Sequence, residues 1–343
     1  MNLQKKITFS ILAGTILGFG IFLGINHGMM KQTAQNEVYE KLNGKAHSLS
    51  TEINDWIQEK QNVLKGLSEE IKKLDDTSPQ NVRKYAQLMA KMAKVRSALI
   101  YFKNETVIHP NPKVNIPAKT FESRIVYKTA KANNFKPSIS KVFPNPLDKK
   151  SKVVALTFPI EGESVSALVL DLTSIGKKVL ETKIKGGYAA LLTQDRQVVF
   201  HPNPKFINSS LGKISPKLKW VEDKIFSQES GLIEFSIGGV DKLMLFDTIE
   251  STGWKVVMLL EKDVAFATLN SQTKKLLLIS LGFVLITSIG VYFLLNFLFK
   301  PLQALRGVVT DLGTGDGDLT QRLAVKGKDE LADIATSVNL FIK

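Results

Sequence analysis

Two stretches of this 343-residue chain lack charged side chains: Ile7–Ile25, ITFSILAGTILGFGIFLGI, and Leu276–Phe299, LLLISLGFVLITSIGVYFLLNFLF. At 1.5 Å per residue the second would reach about 36 Å, enough to cross a ~30 Å hydrocarbon core. Lys5 and Lys6 precede the first stretch, and Lys274, Lys275, Lys300 and Arg306 flank the second. An apolar run of this length without a polar face predicts a membrane span rather than a buried core helix. For the first run a cleaved signal peptide is the alternative. Its apolar length exceeds a usual signal core and GMMKQTAQ is a poor cleavage site, which favours an uncleaved anchor.

Between the two runs the pattern is helical, then alternating. Val38, Leu42, Leu49, Ile53, Trp56, Ile57, Val63, Leu64, Leu67 and Ile71 recur at helical spacing and predict one amphipathic helix over 31–73, interrupted only by Gly44 and Gly66. Pro79 suits the first turn of a second helix, about Gln80–Lys94. From Ser97 the runs shorten to strands. SALIYFKNETVIHPNPK reads as strand, turn, strand and a Pro-closed loop, and GYAALLTQDRQVVFHPNPK repeats that order 92 residues later. VVALTFPI and SALVLDL predict a hairpin around Glu161–Glu163. GLIEFSIGGV, KLMLFDTI and WKVVMLLEKD predict a three-strand meander. Helices on one side of an antiparallel sheet, twice in series, define an α+β tandem. The first module covers about 75–184 and the second about 185–263.

Charge refines this outline. The chain has net charge +14, and residues 28–274 carry 37 basic against 26 acidic groups. No basic helix interleaved with aromatics and no nucleic-acid motif is present, so a solvated basic surface is expected and no nucleic-acid partner. Residues 101–150 hold 10 basic and 3 acidic groups, so a pocket there would favour an anionic group such as a carboxylate. Lys5 and Lys6 favour a cytoplasmic N-terminus at 1–6. The expected order is a transmembrane helix at 7–27, an extracytoplasmic domain at 28–274, a second transmembrane helix at 275–299 and a cytoplasmic helical segment at 300–343. The absence of cysteine excludes disulfides and thiolate metal sites. His109 and His201, in the two HPNPK repeats, could suggest a metal pair. Neither has an acidic partner at ligand spacing, so a turn role is expected and no cofactor. GTGDGD lacks the Gly-Lys-Ser/Thr of a phosphate loop.

The two modules in series, the leading helix and the flanking spans resemble the double Cache sensors of bacterial chemoreceptors, with PAS-like antiparallel sheets. The first module would then be membrane-distal. FESRIVYKTAKANNFKPSISKVF resembles the family's ligand-binding stretch, usually built on Arg-x-Trp-Tyr and here Arg124-Ile125-Val126-Tyr127. LVLDLTSI resembles the strand whose aspartate meets a ligand ammonium, at Asp171. The resemblance implies ligand-binding roles for Arg124, Tyr127, Phe143 and Asp171. An arginine can grip a carboxylate bidentately and an aspartate can answer an ammonium. The alternative is that Arg124 and Tyr127 are ordinary residues of a surface helix. Val126 replaces the usual tryptophan, and Phe143 and Lys119 stand where tyrosines are expected. No acid–base pair or nucleophile triad is visible in this region, which implies binding without turnover.

After the second run, Leu302, Leu305, Val309 and Leu312 form a helical seam, and Leu331, Ile334, Val338 and Phe341 form another. With Pro301 after the span, Asp318-Leu319-Thr320 and Asp329-Glu330-Leu331, this segment resembles a HAMP module. Pro301, Asp318, Asp329 and Glu330 are the expected signal-transmission residues. Two short striped helices imply a homodimeric four-helix bundle. DGDLTQR and DELADIA resemble methyl-accepting chemotaxis proteins. The expectation is a homodimeric, multi-pass inner-membrane receptor with a periplasmic sensor. It would bind a small solute, an amino acid or organic acid, and meet a chemotaxis kinase and adaptor through a region beyond Lys343. A histidine kinase or diguanylate cyclase front half is the rival, and a membrane-anchored binding module without output is the second.

Overall fold

The computed structural model describes residues 3–114, 116–117, 122–146, 151–313, 322–324 and 330–341. They fall within two compact units, 35–267 and, from the chain ends, 1–34 with 268–343. In the larger unit the frame is helix α1 (Leu3–Lys72), whose later half carries the amphipathic stripe. Leu42, Ala46, Leu49, Ile53, Ile57, Leu64 and Ile71 are buried at steps of three, four or seven residues, one face of a 3.6-residue repeat. Helix α2 (Pro79–Met92) starts on proline, where the missing N–H has no intrahelical partner to lose.

Two antiparallel sheets follow. The first contains β1 (Ser97–Tyr101), β2 (Val107–Ile108), β3 (Ser138–Ile139), β4 (Phe143–Pro144), β5 (Lys152–Pro159) and β6 (Val165–Asp171), in the order β2-β1-β6-β5-β3 with β4 also on β5. Helix α3 (Ile125–Ala132) interrupts it and α4 (Thr173–Glu181) follows it. The second contains β7 (Gly187–Leu192), β8 (Val198–Phe200), β9 (Gly231–Ile237), β10 (Val240–Ile249) and β11 (Trp254–Glu261), in the order β8-β7-β11-β10-β9. Helices α5 (Leu211–Ile214) and α6 (Lys219–Ser227) lie between β8 and β9, and the short α7 (Lys262–Ala265) follows β11. In both sheets the last strand inserts beside the first, so the repeat read from HPNPK is a repeat of topology.

One expectation is corrected: helices cover both faces of each sheet. Ala98, Ile100, Leu168 and Leu170 share a core with α1, α2 and α4, whereas Leu99, Tyr101, Ala155 and Ala167 pack with Val126, Tyr127 and Ala130 of α3. In the second sheet Ala189, Leu191, Val256 and Met258 face the α1 side, and Ala190, Leu192, Val257 and Leu259 pack with α5 and α6. The reason is legible in WKVVMLL, buried at every position: its apolar run VVMLL has no polar face, so the strand needs cover on both sides.

The repeated turn is built twice from the same bonds. The Asn111 N–H donates to His109 Nδ1 at 3.0 Å and the Asn203 N–H to His201 Nδ1 at 2.8 Å. The Asn side chains then accept from the N–H of Lys113 and Lys205, each at 3.0 Å. Glu105 and Arg196 hold matching left-handed positions, φ 63° and 64°, in the preceding hairpins. Gly176 of α4 lies so close to the Phe200 ring that a Cβ there would meet it at 2.2 Å. The Lys152 ammonium donates to the Val199 carbonyl at 3.2 Å and to Asn208 Oδ1 at 2.9 Å, tying the modules.

In the smaller unit α1 begins with the first apolar run, and α8 (Ala267–Gly313) contains the second. Both helices are long and apolar enough to cross a membrane. Their large side chains face outward, with Phe9 69%, Ile286 71% and Phe297 77% exposed, as lipid-facing positions would be. Pro301 lies inside α8, just past the apolar run, so the helix continues past a missing N–H. Helix α9 (Glu330–Phe341) follows, and the Asn339 amide clamps both the N–H and the carbonyl of Leu323 at 2.8 Å.

Candidate functional site

The first sheet's face turned from α1 holds the four sensor residues singled out above, in two groups. Cross-strand pairing sets Phe143 opposite Val153 and Val153 opposite Asp171, which places the three side chains on one row and one face. Tyr101 pairs with Val165, six residues from Asp171 along β6, a separation of about 20 Å. Tyr127 lies at that other end. It is buried, with its ring centroid 6.3 Å from Tyr101 and 5.7 Å from Phe135. Burial raises the Tyr127 phenol pKa, and the Glu163 carboxylate adds to the shift. Burial also pushes the Tyr101 phenol up to about 12, against an opposing influence of the nearby Arg124 guanidinium. Arg124 immediately precedes the first turn of α3. The structure therefore joins Arg124 with Tyr127, and Phe143 with Asp171, on separate parts of one face.

Asp171 ends β6 and starts α4. Its Oδ1 accepts from the Thr173 N–H at 2.8 Å and from the Thr173 hydroxyl at 2.5 Å, a local pattern that opens a helix. It also lines a cavity of about 490 Å³ at this end of the sheet. The other walls come from distant parts of the chain: Trp56 and Lys60 of α1, Lys94 and Arg96 of the turn into β1, buried Asn145, and Lys177 of α4. Four cations thus surround one carboxylate. A concave site of this size with converging polar groups suits a small solute.

Lys60 escaped the sequence reading although its signal was present. Ile57, Lys60 and Leu64 continue the buried stripe at steps of three and four, so a lysine occupies a core-facing position. It is 4% exposed. Lys94, Arg96, Asn145 and Lys177 had no comparable signal, because a cation in a turn or on a helix is ordinary. Of the HAMP residues, Pro301 lies within α8 and Glu330 begins α9, both exposed. Asp318, Asp329 and the sensor residue Lys119 lie outside the described residues.

Known proteins share this architecture. The Cache domain family model matches residues 27–269 and the HAMP domain model residues 293–343. Methyl-accepting chemotaxis protein PscA of Pseudomonas syringae pv. tomato is 23% identical over 358 residues, covering 100% of this chain and 54% of the relative. McpA of Bacillus subtilis, a methyl-accepting chemotaxis protein, is 25% identical over 98% of this chain and 51% of its own. The chain spans about half the length of these relatives. Among solved structures, the ligand-binding domain of the Pseudomonas aeruginosa amino acid chemoreceptor PctB with L-Gln superposes with TM-score 0.56. It shares 18% identity and covers 71% of this chain and 98% of that one. At that identity the match speaks to the fold.

Proposed function

The chain belongs to the Cache-domain family and carries a HAMP domain at its second apolar helix, and on that premise we propose that it is the sensing and relay part of a methyl-accepting chemotaxis receptor. The sensor binds an amino acid or organic acid in the first, membrane-distal module. Asp171 meets an ammonium and Phe143 walls the same row, while Arg124 and Tyr127 stand together at the other end of that face, beyond the reach of the same small amino acid. The observation that carries this reading is the cavity at Asp171, set where strand, helix α4 and helix α1 converge. The chemistry is binding without turnover.

Two apolar helices and the basic Lys5 and Lys6 support a sensor outside the inner membrane with both termini inside. The chain acts as a homodimer. Leu302, Val309, Ile334 and Phe341 remain 38%, 51%, 43% and 86% exposed in one copy, as apolar seams awaiting a second would be. Solute binding shifts α8 by ~1–2 Å, the scale of interface helix shifts, and re-biases the HAMP bundle through Pro301, Asp318, Asp329 and Glu330. A chemotaxis kinase and adaptor would read the outcome through a further region.

The chain has no native cysteine, so single cysteines placed along Leu276–Phe299 report on this relay without interference. The full chain is reconstituted in lipid nanodiscs, and calorimetry over a panel of amino acids and organic acids identifies a binder. Cross-linking rates should then differ at least severalfold with and without that solute. Identical rates with the solute bound would overturn the relay, and a panel without any binder would overturn the solute assignment.

A further inference from the structure

Lys60 is placed where folding alone would choose leucine or methionine. It sits between Ile57 and Leu64 on the buried stripe of α1, with its side chain 5% exposed. Taking an ammonium out of water is expensive unless a partner answers it. Its described ion pair is with Glu59 at 2.9 Å, the adjacent residue, whose own side chain is 57% exposed and so a weak, water-screened partner. The Lys60 Nζ also lies 5.8 Å from the centre of the Trp56 ring, one turn away. Both residues line the 490 Å³ cavity together with Lys94, Arg96, Lys177 and the single carboxylate of Asp171.

We propose that this cavity selects a solute of net negative charge with one ammonium and two carboxylates, the chemistry of an acidic amino acid, and that Lys60 is the residue that imposes the selection. The inference rests on the solute-sensor reading above and deepens it. The ammonium lies on Asp171. The second carboxylate answers buried Lys60, with the exposed Lys94, Arg96 and Lys177 supplying the rest of a positive field around the mouth of the cavity. A neutral amide isostere fits the same volume but leaves Lys60 with the exposed Glu59 as its counter-charge. The selecting cation belongs to α1, so the charge of the solute is felt by the helix that threads both sheet modules.

The test uses the full chain in nanodiscs, titrated calorimetrically with L-aspartate and L-glutamate and with their amides L-asparagine and L-glutamine. The expected result is a preference of at least tenfold for an acid over its amide. Lys60→Met should collapse that preference toward unity, while Lys60→Arg retains most of it. Thermal unfolding of each variant without solute checks folding, and Lys177→Gln, on an exposed wall residue, gives a second and smaller loss of preference. Amides that bind as tightly as acids, or a preference that survives in Lys60→Met, overturn the inference and leave the solute-sensor reading standing. Binding of some other amino acid with none of these four does the same, whereas no binder in any class overturns both.

Discussion

The two sheet modules share strand order, hairpin geometry and the HPNPK turn, yet their outer faces differ. In the proximal module Leu211, Leu218, Val221 and Ile225 fill the space over Ala190, Leu192, Phe246 and Val257. In the distal module small residues, Ser97, Ala155 and Ala167, lie on the corresponding face, and its lower end opens into the basic cavity. The acidic residues that end the two central strands show the same divergence. Glu261 is opposite Lys242 in the ladder, with its carboxylate 3.5 Å from the ammonium. Asp171 bonds only its own helix start among the described interactions, and both bonds use Oδ1. One copy of the fold has become packing, and the other has kept an interior that a solute can enter.

The comparison can be broken hardest at Ile225, 0% exposed in the proximal filling. Ile225→Ala should destabilise the sensor by about 2–5 kcal/mol, the range for emptying a packed aliphatic site. Buried Trp254 in that module reports the unfolding by fluorescence, and a loss below 1 kcal/mol would mean the proximal face is not a packed core. A smaller effect is expected at Asp171. Removing the Oδ1 acceptor in Asp171→Ala should cost about 1 kcal/mol through the start of α4. Asp171→Asn keeps an accepting oxygen, so it should hold stability and still lose solute binding. Equal stability losses in both variants would show that the charge, rather than the acceptor, opens the helix.

The smallest effect separates the two HPNPK histidines. Burial lowers the His201 pKa below its usual 6.5, and the ring packs against Tyr188 and Phe206 at 4.6 and 5.0 Å between centroids. A histidine held neutral in the fold binds its proton more readily when unfolded. Its contribution is therefore complete above pH 6.5 and is lost as pH falls through the folded value. His109 is lowered in the same direction by burial but lies in a more exposed turn. Denaturant midpoints measured from pH 7.5 to 5 should decline for the native chain and decline less in His201→Gln than in His109→Gln. The opposite order would place the pH-sensitive turn in the distal module.

Much of this was readable along the chain because it depends on neighbours in sequence. The apolar runs, the stripe of α1, the alternation of the strands and the doubled turn all follow from periods of 3.6 and 2, which the chain displays locally. Asp171 came instead from the resemblance of LVLDLTSI to a family strand, which periodicity alone would not have singled out. The single-sided sheet was misjudged, although WKVVMLL carried the contrary signal of a strand apolar on both faces. Lys60 was legible in principle, since a charge at a core step of an otherwise apolar stripe is an anomaly of period alone.

What the tertiary structure decided is the company those residues keep. Positions 60, 94, 96, 145, 171 and 177 share no motif and no spacing, and they meet only because α1 crosses the end of a sheet whose strand order brings β6 beside β1. A cavity is a property of surfaces that fail to fill one another, and that mismatch arises only when the elements are laid together. The chain's pattern determined that helices and two sheets would form. Their packing determined that one sheet's outer face would fill with aliphatic side chains along its length, whereas the other's would pack on α3 and end in a cavity lined by four cations and a carboxylate.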